Sequence, residues 1–398
     1  MDAPESRTRL ARAARMADIE PFHVMEVQER AFRLEAAGRH VVHMEIGQPD
    51  FSAPPQVIDA AAAALRSQRL GYTSALGLMP LREAIAQYYH EQLGVPVPPQ
   101  RIAITTGASG AFILALAALV GPGEEVLMPD PCYPCSRHMT RLFEGRPVDL
   151  PVDESSRYLP TAAQVEAAWS DATRGVLLAS PANPTGTSVP RGELARIHQT
   201  VRSRGGFLLV DEIYSGLSYD AKCATALELG DDVLVVNSFS KYFCMTGWRL
   251  GWMVAPEELL RDIEKLAQNL YVSPPAPSQF AALAAFRPDT LALLEERRLE
   301  FRRRRDFIVR ALRELGFSVP LVPEGAFYVY AGCERYSPDS HTFSLAVLER
   351  AGVALTPGLD FGRHGARRHV RISYTRSMQE LGEGVERLAA FLRKPSDA

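Results

Sequence analysis

Seven short runs of β-branched and apolar residues recur through the middle of the chain, and most are separated by stretches with helical periodicity. The runs are Arg101 to Thr106, Glu125 to Met128, Pro147 to Val152, Gly175 to Ala179, Phe207 to Val210, Val233 to Asn237 and Gly251 to Val254. Ala108 to Val120 and Arg191 to Arg204 are two of the helical patterns between them. Strands that alternate with helices build a mostly parallel sheet covered on both faces, so the expected fold class is α/β with a mostly parallel central sheet. In such sheets the chemistry gathers beyond the carboxyl ends of the strands.

A chain of 398 residues exceeds what one core comfortably serves, and two domains are expected. Residues 51–288 form the large α/β domain. After Arg287-Pro288-Asp289 a charged amphipathic helix runs to Leu315, followed by strand candidates at Ala326 to Tyr330 and Val370 to Tyr374. This makes residues 289–398 a smaller α+β domain. Residues 1–50 are expected to pack on it, with Pro49, Pro54 and Pro55 marking the crossing. The run Arg302 to Arg305 reads as a solvated helix face.

Lys plus Arg number 44 against 47 Asp plus Glu, a formal charge of −3 that gives no footprint for nucleic acid. Apolar stretches such as Ala111 to Val120 fall short of a bilayer span, and no leader pattern opens the chain. The arginine-dotted opening Arg7 to Arg15 is interrupted by acids at Asp2, Glu5 and Asp18, and reads as a terminal helix rather than a transit peptide. A cytoplasmic protein without a membrane partner is expected. Its five cysteines are scattered and odd in number, which suits a reducing compartment. Cys132-Tyr133-Pro134-Cys135 has the spacing of a redox or metal pair, but no second pair completes a zinc set; no metal is expected, and the two read as free thiols flanking a functional tyrosine.

The chemistry-bearing motifs fall at strand ends. Ser238-Phe239-Ser240-Lys241 is a tight polar turn, and Arg249 stands eight residues after its lysine in Thr246-Gly247-Trp248-Arg249-Leu250-Gly251. Together they can hold a phosphorylated aldehyde at both ends, Lys241 as a Schiff base and Arg249 on the phosphate. Thr105-Thr106-Gly107-Ala108-Ser109-Gly110-Ala111 ends a strand and opens a helix. Its small residues let backbone N–H groups and the Ser109 hydroxyl reach a phosphate, although such turns are also common without one. Asp211, at the end of a buried strand, needs a cation to offset its burial unless it caps a helix. Arg371, inward on the apolar strand His369-Val370-Arg371-Ile372-Ser373-Tyr374, suits a carboxylate held bidentately or a structural ion pair.

The lysine stretch closely resembles the signature of the class I/II pyridoxal-phosphate (PLP) aminotransferases, departing from it only at Cys244. The family's motifs follow in order from Gly47 to Arg371. The resemblance implies PLP fold type I with PLP as cofactor and pyridoxamine phosphate after the first half-reaction. Lys241 would carry the cofactor, and Ala108, Ser109, Ser238, Ser240 and Arg249 would form its phosphate cup. Asp211 would pair with the ring nitrogen, Asn183 and Tyr214 would meet the ring's phenolic oxygen, and Tyr133 would stack on the ring. Arg371, with the Gly47 backbone and Asn183, would bind the substrate. Tyr72 would reach the phosphate of a neighbouring subunit, which implies a homodimer with shared sites.

The implied activity is transfer of an amino group from an amino acid to a 2-oxo acid by a ping-pong route. The same scaffold also supports C–S β-elimination, and a related domain serves as a regulator's effector module. The regulator needs a DNA-binding domain, and fewer than fifty residues precede Gly47. Members that favour dicarboxylic substrates place a base on the phosphate loop or after the lysine helix. Here those places hold Ser109 and Asn269-Leu270-Tyr271-Val272-Ser273-Pro274-Pro275, so neutral donors, aliphatic or aromatic, are expected.

Overall fold

A computed structural model describes residues 10–67 and 70–393. In chain order the strands are β1 (Val42–His43), β2 (Ile102–Thr105), β3 (Glu125–Asp130), β4 (Arg146–Pro151), β5 (Thr173–Ala179), β6 (Phe207–Asp211), β7 (Leu234–Ser238), β8 (Gly251–Val254), β9 (Tyr328–Gly332), β10 (Val353–Ala354), β11 (Thr356–Pro357) and β12 (His369–Ser373). Seven of them form one sheet in the order β2-β8-β7-β6-β5-β3-β4. All its pairings are parallel except those of β8, which runs antiparallel to both β2 and β7.

Helices cover both faces, and the strands show why. Val176 and Leu178 of β5 join one apolar cluster while Leu177 between them joins the other; in β2, Ile102 and Ile104 face one way and Ala103 the other. A strand buried on both sides reads as an unbroken apolar run, which is how these appear in the sequence. The edge strand β4 is largely exposed. The helix Gly107–Leu119 is apolar nearly all round and has Ala111, Leu114 and Ala115 fully buried. A helix of that kind belongs in an interior.

A second, antiparallel sheet has the order β11-β12-β9, and β1 pairs with β10 in parallel. The long helix Pro288–Glu314 packs beside β9. Near the start of the chain, the helix His23–Ala36 buries Val27 and Ala31 against Val41, Leu348 and Ala354. Arg7 lies outside the described residues; Arg15 sits in a short 3-10 turn, Ala14–Ala17, not in a terminal α-helix.

The arginine run corrects the expectation of a solvated face. Arg304 and Arg305 are buried. Arg304 donates to Asp50 Oδ1 at 2.8 Å and to the Thr375 carbonyl at 3.1 Å, and Arg305 donates to Asp220 Oδ2 at 2.7 Å and to the Pro323 carbonyl at 3.1 Å. Only Arg302 and Arg303 are exposed. Four adjacent helical residues span more than one turn, so a charge run cannot all face water when half of it faces a packed neighbour.

Candidate active site

Because β8 runs against its neighbours, its first residue lies at the same sheet edge as the last residues of β2, β5, β6 and β7. That edge borders a cavity of about 290 Å³. Of the thirteen residues singled out in the sequence, all but Tyr72 line it: Gly47, Ala108, Ser109, Tyr133, Asn183 and Asp211, then Tyr214, Ser238, Ser240, Lys241, Arg249 and Arg371. Tyr72 is 84% exposed and does not contribute to the cavity of its own chain.

One end of the cavity is built for an anion. Gly107 has φ +78°, and a Cβ there would lie 2.8 Å from Arg249 Nη2. A Cβ at Gly251 would come 2.8 Å from the backbone nitrogen of Ala108. The backbone thus approaches too closely for side chains. Arg249, itself at φ +51°, donates from Nη1 to the Thr246 carbonyl at 2.9 Å, which turns the guanidinium toward the start of the helix Gly107–Leu119. Ser238 Oγ accepts from the Ser240 N–H at 3.1 Å and lies 3.3 Å from the Leu250 carbonyl. A helix N-terminus, an arginine and hydroxyls around a glycine-lined hollow suit a phosphate dianion.

Lys241 and Asp211 form the middle. Lys241 Nζ donates to the Gly47 carbonyl at 2.6 Å. Burial lowers its pKa to about 8, helped by the charges of Arg371 and Arg249 and opposed by Asp211. Asp211 is buried at the end of β6, and burial raises its pKa to about 7 against the Ile213 N–H, which donates to Oδ1 at 3.1 Å, and the Lys241 charge. A carboxylate so poorly compensated fits a protonated ring nitrogen as partner. The donor set as a whole fits PLP.

At the other end Arg371 donates from Nη1 to Asn183 Oδ1 at 3.0 Å and from Nη2 to the Glu45 carbonyl at 2.7 Å. Its Nε has no partner. The guanidinium carbon lies 4.2 Å from the ring centre of Tyr328 and 4.9 Å from that of Phe361, so it packs against two rings with donor capacity left over. Tyr214 and Tyr328 join their hydroxyls at 2.8 Å. Tyr133 is half-buried on the wall, and all five cysteines, including its neighbours Cys132 and Cys135, are free.

Sequence reasoning missed Tyr328, Thr356, Asp360, Phe361, Phe22 and Val24, which also line the cavity. An aromatic residue in an apolar strand carries no local mark of function, and only the pairing of β9 with β12 sets Tyr328 beside Arg371. It also missed His23, Glu26 and His341, whose ligand-capable atoms lie within 4.8 Å of one another. The Glu26 carboxylate is already taken by Arg30 at 2.8 Å and His341 at 3.1 Å, so the group is a hydrogen-bonded cluster between two helices.

Comparison with known proteins agrees with this geometry. The family model for aminotransferase class I and II matches residues 39–388. The valine–pyruvate aminotransferase of Mycobacterium tuberculosis is 39% identical over 96% of this chain and 98% of its own length. An aspartate aminotransferase of Streptomyces avermitilis is 34% identical over the full length of both. The crystal structure of an aminotransferase from Mycobacterium tuberculosis superposes with a TM-score of 0.93 at 38% identity, covering 96% of this chain and 99% of that one. With lysine, aspartate and arginine converging on one cavity in the fold of these relatives, the chain belongs to the class I and II aminotransferase family and is a transaminase.

Proposed function

We propose that this transaminase uses PLP and moves amino groups from neutral L-amino acids, aliphatic or aromatic, to a 2-oxo acid. The observation that carries the substrate class is the placement of charge. The cations on the cavity wall are Lys241, Arg249 and Arg371, and each would be taken up by the cofactor or the α-carboxylate. Beside Arg371 the wall holds Tyr328, Phe361 and Thr356, and the lining also includes Phe22, Val24 and Asp360. A distal carboxylate there would be buried without a cation and beside another carboxylate.

Bound PLP supplies a carbonyl with which amines exchange and a ring that draws charge away from the substrate Cα. The protein's part is then positional. Arg371 takes the α-carboxylate, with the Gly47 backbone and Asn183 beside it. Lys241, whose lowered pKa leaves a fraction of its amine neutral near pH 7, takes the proton from Cα at Nζ. Asp211 would pair with the ring nitrogen and keep it protonated, Asn183 and Tyr214 would bond the ring oxygen, and Tyr133 would pack on the ring. Ala108, Ser109, Ser238, Ser240 and Arg249 would hold the phosphate. Release of a 2-oxo acid before the second binds gives ping-pong kinetics.

The exposed Tyr72 supports a homodimer in which it completes the partner's phosphate site. Five free cysteines support a cytoplasmic location. The pairing of β1 with β10 supports residues 1–50 packing on a small domain of residues 289–398, beside a large domain of residues 51–288.

The test is a kcat/KM series over alanine, valine, leucine, methionine, phenylalanine and aspartate with 2-oxoglutarate or pyruvate, with free ammonia measured in parallel. Neutral donors should lead. Aspartate first by tenfold, about 1.4 kcal/mol of transition-state preference, would overturn the substrate class. Ammonia release exceeding amino transfer would replace transfer by elimination.

A further inference from the structure

The helix His23–Ala36 starts without a cap of its own. Phe22 occupies the N-cap position and has no side-chain acceptor for the first free N–H groups. The missing acceptor comes from 337 residues away: Asp360 Oδ1 accepts the His23 N–H at 2.6 Å, and Oδ2 accepts the Val24 N–H at 2.8 Å. A carboxylate here also complements the positive end of the helix. Asp360 is only 9% exposed and sits next to Phe361, the residue stacked on Arg371.

This contact decides where a wall of the cavity stands. Phe22 and Val24 reach the cavity from the capped turn, while Asp360 and Phe361 reach it from the loop after β11. On its other side the same stretch is tied to the helix Pro134–Leu142: Arg141 donates to the Asp18 carbonyl at 2.7 Å, and the Phe22 ring centre lies 6.2 Å from that of His138. Residues 18–24 therefore cross between two elements, and Asp360 is the anchor at the substrate end.

We propose that Asp360 is a specificity-determining positioning residue: by capping the helix from across the cavity it fixes Phe22 and Val24 as an apolar wall against the substrate side chain, and its own charge rejects a distal carboxylate. The choice of neutral donors in this inference rests on the function proposed above; the fixing of the wall does not. Asp360 need not touch the reacting atoms. Its effect grows with the length of the donor's side chain and is nearly absent for alanine, which does not reach the wall.

The experiment uses the PLP-loaded enzyme and the variants Asp360→Ala, Asp360→Asn and Phe22→Ala. Asp360→Ala should lower kcat/KM for leucine and phenylalanine at least tenfold, mostly through KM, and that for alanine less than threefold. Asp360→Asn keeps an oxygen acceptor without the charge, so it should recover most of the leucine activity while raising that for aspartate. Phe22→Ala should reproduce the leucine loss. Hydrogen exchange read by mass spectrometry on peptides covering residues 22–26 should accelerate about tenfold in Asp360→Ala and remain unchanged in the helix Gly107–Leu119.

Faster exchange at residues 22–26 with an unchanged leucine-to-alanine ratio would overturn the proposal. So would an equal loss for every donor, which marks a structural role alone, or exchange that does not change. If the wild-type enzyme instead favours aspartate, the neutral-donor reading and the rejection by charge both fail. A shift in the leucine-to-alanine ratio would still separate the fixed wall from that failure.

Discussion

Lys241 Nζ and the carbonyl oxygen of Gly47 lie 2.6 Å apart, joining the turn after β7 to a loop 194 residues earlier in the chain. The contact holds the amine in the cavity that Asp211, Arg249 and Arg371 also line. Lys241→Ala should reduce transamination by about 10²–10⁴-fold or more, the usual contribution of a positioned proton carrier. PLP should still bind through the phosphate end, which a fluorescence titration of the variant measures. A variant that transaminates at a comparable rate contradicts the role given to Lys241.

Asp211 makes a stability prediction with a definite sign. Burial holds its pKa near 7 in the cofactor-free protein, whereas an unfolded aspartate titrates near about 3.9. Between those values the native state keeps a proton that the unfolded chain has lost, so stability falls as pH rises through that window. Cofactor-free Asp211→Asn should therefore match wild type near pH 4 and exceed it above pH 7, by on the order of 4 kcal/mol at most. Urea melts at the two pH values measure this; a constant difference would refute it. With PLP bound, loss of the carboxylate should slow transfer by about tenfold to a hundredfold.

Gly107 combines a left-handed backbone with the nearness of Arg249. In Gly107→Ala the backbone strain amounts to roughly 1–2 kcal/mol, and the new methyl displaces the guanidinium. PLP affinity should fall about tenfold or more, with only a modest drop in the melting temperature of the cofactor-free protein. Unaltered affinity by equilibrium dialysis would remove Arg249 from the phosphate site.

If Tyr72 serves a neighbouring subunit, mixing Tyr72→Phe with Lys241→Ala gives hybrid dimers in which one site carries neither change. Activity of the mixture should exceed the sum of the two variants measured alone. Strict additivity after verified subunit exchange would assign Tyr72 a local role, and a fully active monomer by light scattering would do the same.

Much of this arrangement could be read from the sequence because buried strands and glycine-bearing turns leave local marks. All seven expected strands of the large sheet are present, and the motifs at their ends meet in one cavity. What could not be read depends on pairing across long separations. The reversed direction of β8 has no composition of its own, and β1, β10 and β11 are two-residue strands too short for any periodicity to register. Arg304 and Arg305 looked like surface because their partners, Asp50 and Asp220, lie far off in sequence. Asp360 failed to stand out for the same reason: a helix cap is sought beside the helix it serves.

The phosphate and ring ends of the cavity hang on one continuous sheet, while its outer wall is assembled from residues 22–24 and 356–361. The two sets of parts share few side chains, so they can diverge at different rates. If the outer wall sets the donor as proposed, altering two short stretches of chain would move a lineage from one donor to another while the cofactor end stays under unchanged constraint. The same separation offers a practical route: transplanting those two stretches together, as a matched pair, between relatives with different preferences should carry the preference across, whereas moving either alone would leave a cap without its helix.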